Sequence, residues 1–149
     1  MDNCESLVLE YLRADRSVFV NTQCCIQLFD SPNPDTSGPH WYCDLVAVNF
    51  KEKRVYLCEV TYSKTLASLL KRFALWDEHW CDLKAALVRD CGLPVDWEVI
   101  PWAFIPEHLQ QKYEEKLLTI KTHNMPYPKL TTLESILPWH YRSWNRTLG

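Results

Sequence analysis

The chain has 149 residues, 47% of them hydrophobic and 23% charged, with a formal net charge of −3. This length and apolar content suit one domain with a real core, and the scarcity of Gly and the lack of repeats argue against disorder. No apolar run approaches the roughly 18 residues that span a bilayer, and the N-terminus lacks signal-peptide character, so a soluble, cytoplasmic protein is expected.

Asp2 or Asn3 is placed to cap a first helix running to about Arg13, with Cys4, Leu7, Val8, Tyr11 and Leu12 at helical spacing. Residues 17–29 read as a long strand, and the Pro- and Asp-rich residues 30–39 as a loop. Residues 41–50 and 54–61 read as two further strands. A long helix is expected from Ser63 or Lys64 to Cys91, with Leu66, Leu69, Leu70, Phe73, Trp80, Leu83 and Leu87 on one stripe and Gly92-Leu93-Pro94 as its stop. Residues 96–105 form a strand in which Pro101 points to an edge or bulge position. Pro106-Glu107 opens a helix to about Thr122, and a last helix is expected from Thr131 or Thr132. The order α-β-β-β-α-β-α-α implies a mixed sheet flanked by helices, an α+β or α/β sandwich. Residues 1–149 form a single domain on this reading, its core at about 1–105 and a helical extension from about 106.

The most informative residues are two acids. Asp44 in Trp41-Tyr42-Cys43-Asp44-Leu45-Val46 and Glu59 in Val55-Tyr56-Leu57-Cys58-Glu59-Val60-Thr61 are each alone in a run that reads as a buried strand. An unpaired buried carboxylate is expensive, so two on adjacent strands suggest a shared cause, most economically a divalent cation. Register decides whether they meet. A two-residue loop at Lys51-Glu52 sets Asp44 opposite Glu59, a four-residue loop at 51–54 makes them diagonal neighbours, and a three-residue loop puts them on opposite faces. Opposed or diagonal, both can reach one Mg²⁺.

The element order, with an acid on the second strand and another on the third, resembles the PD-(D/E)xK nuclease superfamily, in particular its small Holliday-junction-resolvase-like members. Glu5-Ser6-Leu7-Val8 before Val18-Phe19-Val20-Asn21 is similar to the family's first helix and strand. Asp44-Leu45-Val46-Ala47 matches the second-strand acid, and Glu59-Val60-Thr61 falls on its E-x-K. The resemblance covers about residues 1–105. It implies a restriction-endonuclease-like αβββαβ core and metal-dependent phosphodiester hydrolysis, of DNA rather than RNA. Asp44, Glu59 and the Val60 carbonyl would hold Mg²⁺ or Mn²⁺, and Glu5 would orient the attacking water or help hold a second ion. On the helical wheel Glu10 is placed about as well as Glu5, and the family pattern alone selects Glu5. Thr61 stands where the family has lysine, and a hydroxyl cannot supply a cation to the transition state. Lys64, then Lys71, are the candidates to replace it. Gln23 on the first strand is a further candidate to face the site.

Other features bear on partners. Lys121, Lys129, Arg142 and Arg146 stand against Glu134 in residues 121–149, interleaved with His123, Trp139, His140, Tyr141 and Trp144. Such a segment can grip phosphates and stack on bases, or dock a terminal helix with its charges in solvent. Seven tryptophans offer anchors for a homodimer. Seven cysteines without a C-x-x-C pair imply reduced thiols, and the acids beside Cys43 and Cys58 disfavour thiolate chemistry there. Phosphate-loop, dinucleotide, zinc-protease and serine-hydrolase motifs are absent. The rival to an enzyme is a nuclease fold without catalysis that binds nucleic acid or a protein.

Overall fold

Asp2 opens helix α1 (Asn3–Arg13) with a capping box: its carboxylate accepts the Glu5 amide at 2.7 Å, and Glu5 accepts the Asp2 amide at 3.0 Å. In the computed structural model, which describes residues 2–28, 40–62 and 65–137, the chain continues through strands β1 (Val18–Gln27), β2 (His40–Asn49) and β3 (Arg54–Val60). Helices α2 (Ala67–Glu78) and α3 (Trp80–Cys91) follow, then β4 (Glu98–Ile105), a 3-10 turn, α4 (Gln110–Ile120), β5 (Lys129–Thr132) and a second 3-10 turn. The sheet order is β1-β2-β3-β4-β5, with β1, β2 and β3 an antiparallel meander and β4 and β5 joined in parallel. The protein is an α+β sandwich with an αβββαβ core, a shape broadly consistent with restriction-endonuclease-like folds. Among the described residues no helix is long and apolar enough to cross a membrane.

Strand alternation divides the core between two faces. In β3, Val55 and Leu57 pack with Phe73, Trp76 and Leu83 beneath α2, α3 and α4. Tyr56 and Cys58 point the other way, to Val8 and Leu12 of α1 and to Phe104, Leu133 and Ile136. The first two strands change phase midway. Val18 and Val20 belong to the α1 face, but Cys24 and Ile26, also even-numbered, belong to the α2–α3 face. The reversal sits at Gln23, whose φ of +53° is left-handed. Register is kept across it, since Thr22↔Leu45 and Cys24↔Cys43 bracket Gln23 and Asp44.

Three expectations need correction. The long helix is two, broken at His79 (φ −110°, ψ 24°), with no Gly or Pro at the break. The cause is tertiary. Asp77 Oδ1 accepts the amides of His123, Asn124 and Met125 at 3.0, 2.8 and 2.9 Å, and the His79 ring lies against Trp41. The helix expected from Thr131 is strand β5 and a 3-10 turn. The open side of β4 at Trp102–Ile105 takes up Lys129–Thr132 as a parallel partner, and the Trp102 indole donates to Thr131 Oγ1 at 2.9 Å. Pro101 lies in an internal strand, not an edge strand, but it directly precedes the first residue of β4 that β5 pairs, so its missing N–H costs nothing on that side. The tail residues Trp139, His140, Tyr141, Arg142, Trp144 and Arg146, and Lys64, lie outside the described residues.

The Asp77 clamp carries a prediction. Burial alone would raise this carboxyl, but three amide donors and nearby His123 outweigh it and hold the group below its ordinary 3.8. A depressed carboxyl stabilises the fold above its unfolded pKa, and the contribution is lost as pH falls through the lower folded value. Asp77→Ala should therefore cost about 3 kcal/mol at pH 7, within the range for hydrogen bonds to a buried charge. Urea titrations of both proteins should show the gap closing below about pH 3.8. A gap that persists unchanged into acid would mean that packing, not the anion, holds residues 123–125.

Candidate active site

The β2–β3 hairpin turns through residues 50–53, and Asn49↔Arg54 through Leu45↔Cys58 pair in the register that sets Asp44 opposite Glu59. The backbone ladder stops one pair short of the acids. Side chains complete it: the Asp44 amide donates to Glu59 Oε2 at 3.3 Å, and the Val60 amide donates to Asp44 Oδ2 at 2.9 Å. Each carboxylate thus takes an amide of the opposite strand. Val60 contacts the centre through that amide. Asp44 is half-buried, whereas Glu59 is only 3% exposed.

Two helices contribute from opposite faces. From α1, buried Glu5 comes within hydrogen-bonding reach of Asp44, and its Oε1 accepts Gln23 Nε2 at 3.2 Å. Glu10 is on the exposed side of the same helix. From α2, Arg72 forms an ion pair with Glu59 and donates to the Tyr42 carbonyl at 3.0 Å. Lys71, next to Arg72, is exposed. A small cavity of about 110 Å³ opens among Asp44, Glu59, Val60, Thr61, Ser68 and Arg72. Liquid water occupies about 30 Å³ per molecule, so a partly hydrated ion fits this volume.

Charge in the centre is unbalanced. Burial, then the hydrogen bond and negative charge of Asp44, push Glu59 up to about 9, and Arg72 only partly offsets them. Glu5 is also raised, chiefly by burial and, after the opposing Asp2 amide, by Asp44. The ion pair and the high pKa describe one site with three acids and one cation. Burial prevails at Glu59, which is enclosed, because the Arg72 side chain is 35% exposed and partly solvated. Among the described residues, no group of three or more His, Cys, Asp and Glu side chains is arranged to hold a metal ion. The donors that do meet, Asp44 and Glu59, are hard oxygen ligands suited to Mg²⁺ or Mn²⁺.

No protein-family model, curated protein or solved structure matches the chain significantly. Its chemistry must be read from its own geometry.

Arg72 is the residue that sequence reasoning missed. A signal existed: it falls three after Leu69 and four before Trp76, at the margin of the apolar stripe of α2. A search confined to lysine passes over it.

Raised acids make folding bind protons, so stability should fall as pH climbs from about 4.5 to about 9. Glu59→Gln stays neutral and removes most of that slope. Urea midpoints should show the variant no more stable than wild type near pH 5 and more stable near pH 8.5. Parallel pH profiles for the two proteins would show that Glu59 is ionised in the fold at neutral pH.

Proposed function

We propose that this protein hydrolyses phosphodiester bonds in nucleic acid, with DNA favoured over RNA, at a Mg²⁺- or Mn²⁺-dependent centre of the PD-(D/E)xK type. One observation carries the proposal: Asp44 and Glu59 stand opposite each other at the open end of the β2–β3 ladder, on an αβββαβ frame, with Glu5 beside them.

Asp44 and Glu59 would hold the ion, with Val60 the backbone ligand that the family pattern suggests. When bound, the ion supplies polarisation of the scissile phosphate and a bound water of lowered pKa. Everything else falls to the chain. Glu5, fixed by the Asp2 amide and Gln23, is placed to accept a proton from attacking water or to orient it. Arg72, half-exposed and always charged, releases Glu59 and turns its planar donors to phosphate oxygens, supplying the cation that Thr61 cannot. Lys64 remains a second candidate for that role. Lys71 on the outer side of α2, and Arg142 and Arg146 in the basic tail, would contact the substrate backbone. A homodimer would extend the reach of so small a domain, and sedimentation at micromolar concentration tests it.

A second reading rests on the Arg72–Glu59 pair. If that contact is permanent, Arg72 fills the cation's place and the fold is a catalytically silent module for nucleic acid or a protein partner.

Incubation with single-stranded, duplex and branched DNA and with RNA, in Mn²⁺ and in EDTA, separates the two. Cleavage should require the metal and fall on the order of 10²-fold or more in Asp44→Ala and Glu59→Ala, the scale of losing a transition-state stabiliser. Arg72→Lys should keep more activity than Arg72→Ala. No cleavage of any substrate, with no heat on titrating Mn²⁺, would establish the silent module.

A further inference from the structure

On the α2–α3 side of the sheet, a cavity of about 390 Å³ separates β1 from the end of α3, with Asn21, Cys24, Val46, Asp90, Cys91 and Leu93 in its wall. Two cysteines far apart in sequence meet there. Cys24 is buried in β1; Cys91, the last residue of α3, is exposed. Both thiols stand in this wall within reach of each other's charge, while the Cys24 Sγ–H donates to the Cys25 carbonyl at 3.9 Å. The position of Cys91 is held from both sides. Arg89 Nη2 donates to the Gln27 carbonyl at 2.8 Å, tying the last turn of α3 to β1. Gly92 then ends the helix in a left-handed conformation, φ +68°, that other residues adopt only at a cost.

We propose that Cys91 is a peroxide-reactive thiol and Cys24 its resolving partner, so that oxidation joins α3 to β1 through a Cys24–Cys91 disulfide. The oxidant is hydrogen peroxide or an organic hydroperoxide. The Cys91 thiolate attacks one peroxide oxygen and the O–O bond breaks. Sulfur takes the hydroxyl as a sulfenic acid, and the other oxygen leaves as hydroxide or alkoxide. The Cys24 sulfur then attacks the sulfenic sulfur and loses its proton, the S–O bond breaks, and water departs. Two thiols are oxidised by two electrons and one peroxide is reduced.

The roles follow from the surroundings. Interaction with the neighbouring Cys24 thiol brings Cys91 down to about 7, against opposing burial and the charge of Asp90. Cys24 itself is raised by the same interaction and by burial, so it stays protonated, its S–H turned to the Cys25 carbonyl. The exposed, low-pKa thiol is the one an oxidant meets first, and the resolving thiol lies behind it. Other cysteines are placed differently. Cys43 is wholly buried, with its thiol against the carbonyls of Leu45 and Cys58 at 3.4 and 3.6 Å, and Cys81 is exposed at the start of α3.

The test is peroxide treatment of the full chain, followed by thiol counting and peptide mapping. Two free thiols should disappear with a mass loss of about 2 Da, the two hydrogens of a disulfide. The cross-linked peptides should contain Cys24 and Cys91, and a thiol reductant should restore both. Cys25→Ser should leave the link intact, which assigns it to Cys24 and not its neighbour. Cys24→Ser should stop at a Cys91 sulfenic acid captured by dimedone. Cys91→Ser, a change at an exposed position, should abolish both products. A link through Cys25, dimers through Cys81, or both thiols still free after every other exposed cysteine has reacted would overturn the proposal.

Discussion

Everything distinctive in this molecule depends on a carboxyl pair, buried Glu59 and half-buried Asp44, closing a strand ladder. Where the β2–β3 backbone bonds end, Asp44 and Glu59 continue them with side chains, each accepting an amide of the opposite strand. Two carboxylates so close cannot both ionise cheaply away from water. The fold meets this with one half-exposed guanidinium and a proton held up to about 9 on Glu59. This imbalance is what we propose an external cation relieves. Simple structural needs would be met better by a neutral pair, since buried ion pairs seldom add stability over apolar replacements.

The frame explains why these groups converge. An antiparallel meander followed by a parallel β4 puts α1 on one sheet face and α2 on the other. Glu5 and Arg72 therefore approach the acids from opposite directions. The phase reversal at Gln23 sits opposite Asp44 and turns the Gln23 amide to Glu5. A left-handed glutamine costs on the order of 1 kcal/mol, and strain of this kind gathers at functional sites. Below this level, Phe73 and Trp76, both fully buried, fasten α2 to the sheet and so fix the height of Arg72.

The sequence made the meander legible because alternation and charge are local signals. Lone acids in apolar strands marked Asp44 and Glu59, and the hairpin arithmetic admitted the observed register as one of three. Glu5 was separable from Glu10 only by a family pattern, and burial on α1 now separates them. What stayed hidden was tertiary. Nothing local at His79 announces a break, which follows from the grip of Asp77 on residues 123–125. Four residues, Lys129 to Thr132, carry too little periodicity to be read as a strand, and the open side of β4 recruits them. Arg72 was passed over because the expected motif asks for lysine close to Glu59 in sequence, whereas the cation arrives from the next helix.

The most direct measurement is anomalous diffraction from crystals soaked in Mn²⁺. Our account predicts a peak between the Asp44 and Glu59 carboxylates, with Arg72 withdrawn from Glu59. A map with no peak there, the Arg72–Glu59 pair intact and manganese only at surface acids would contradict it.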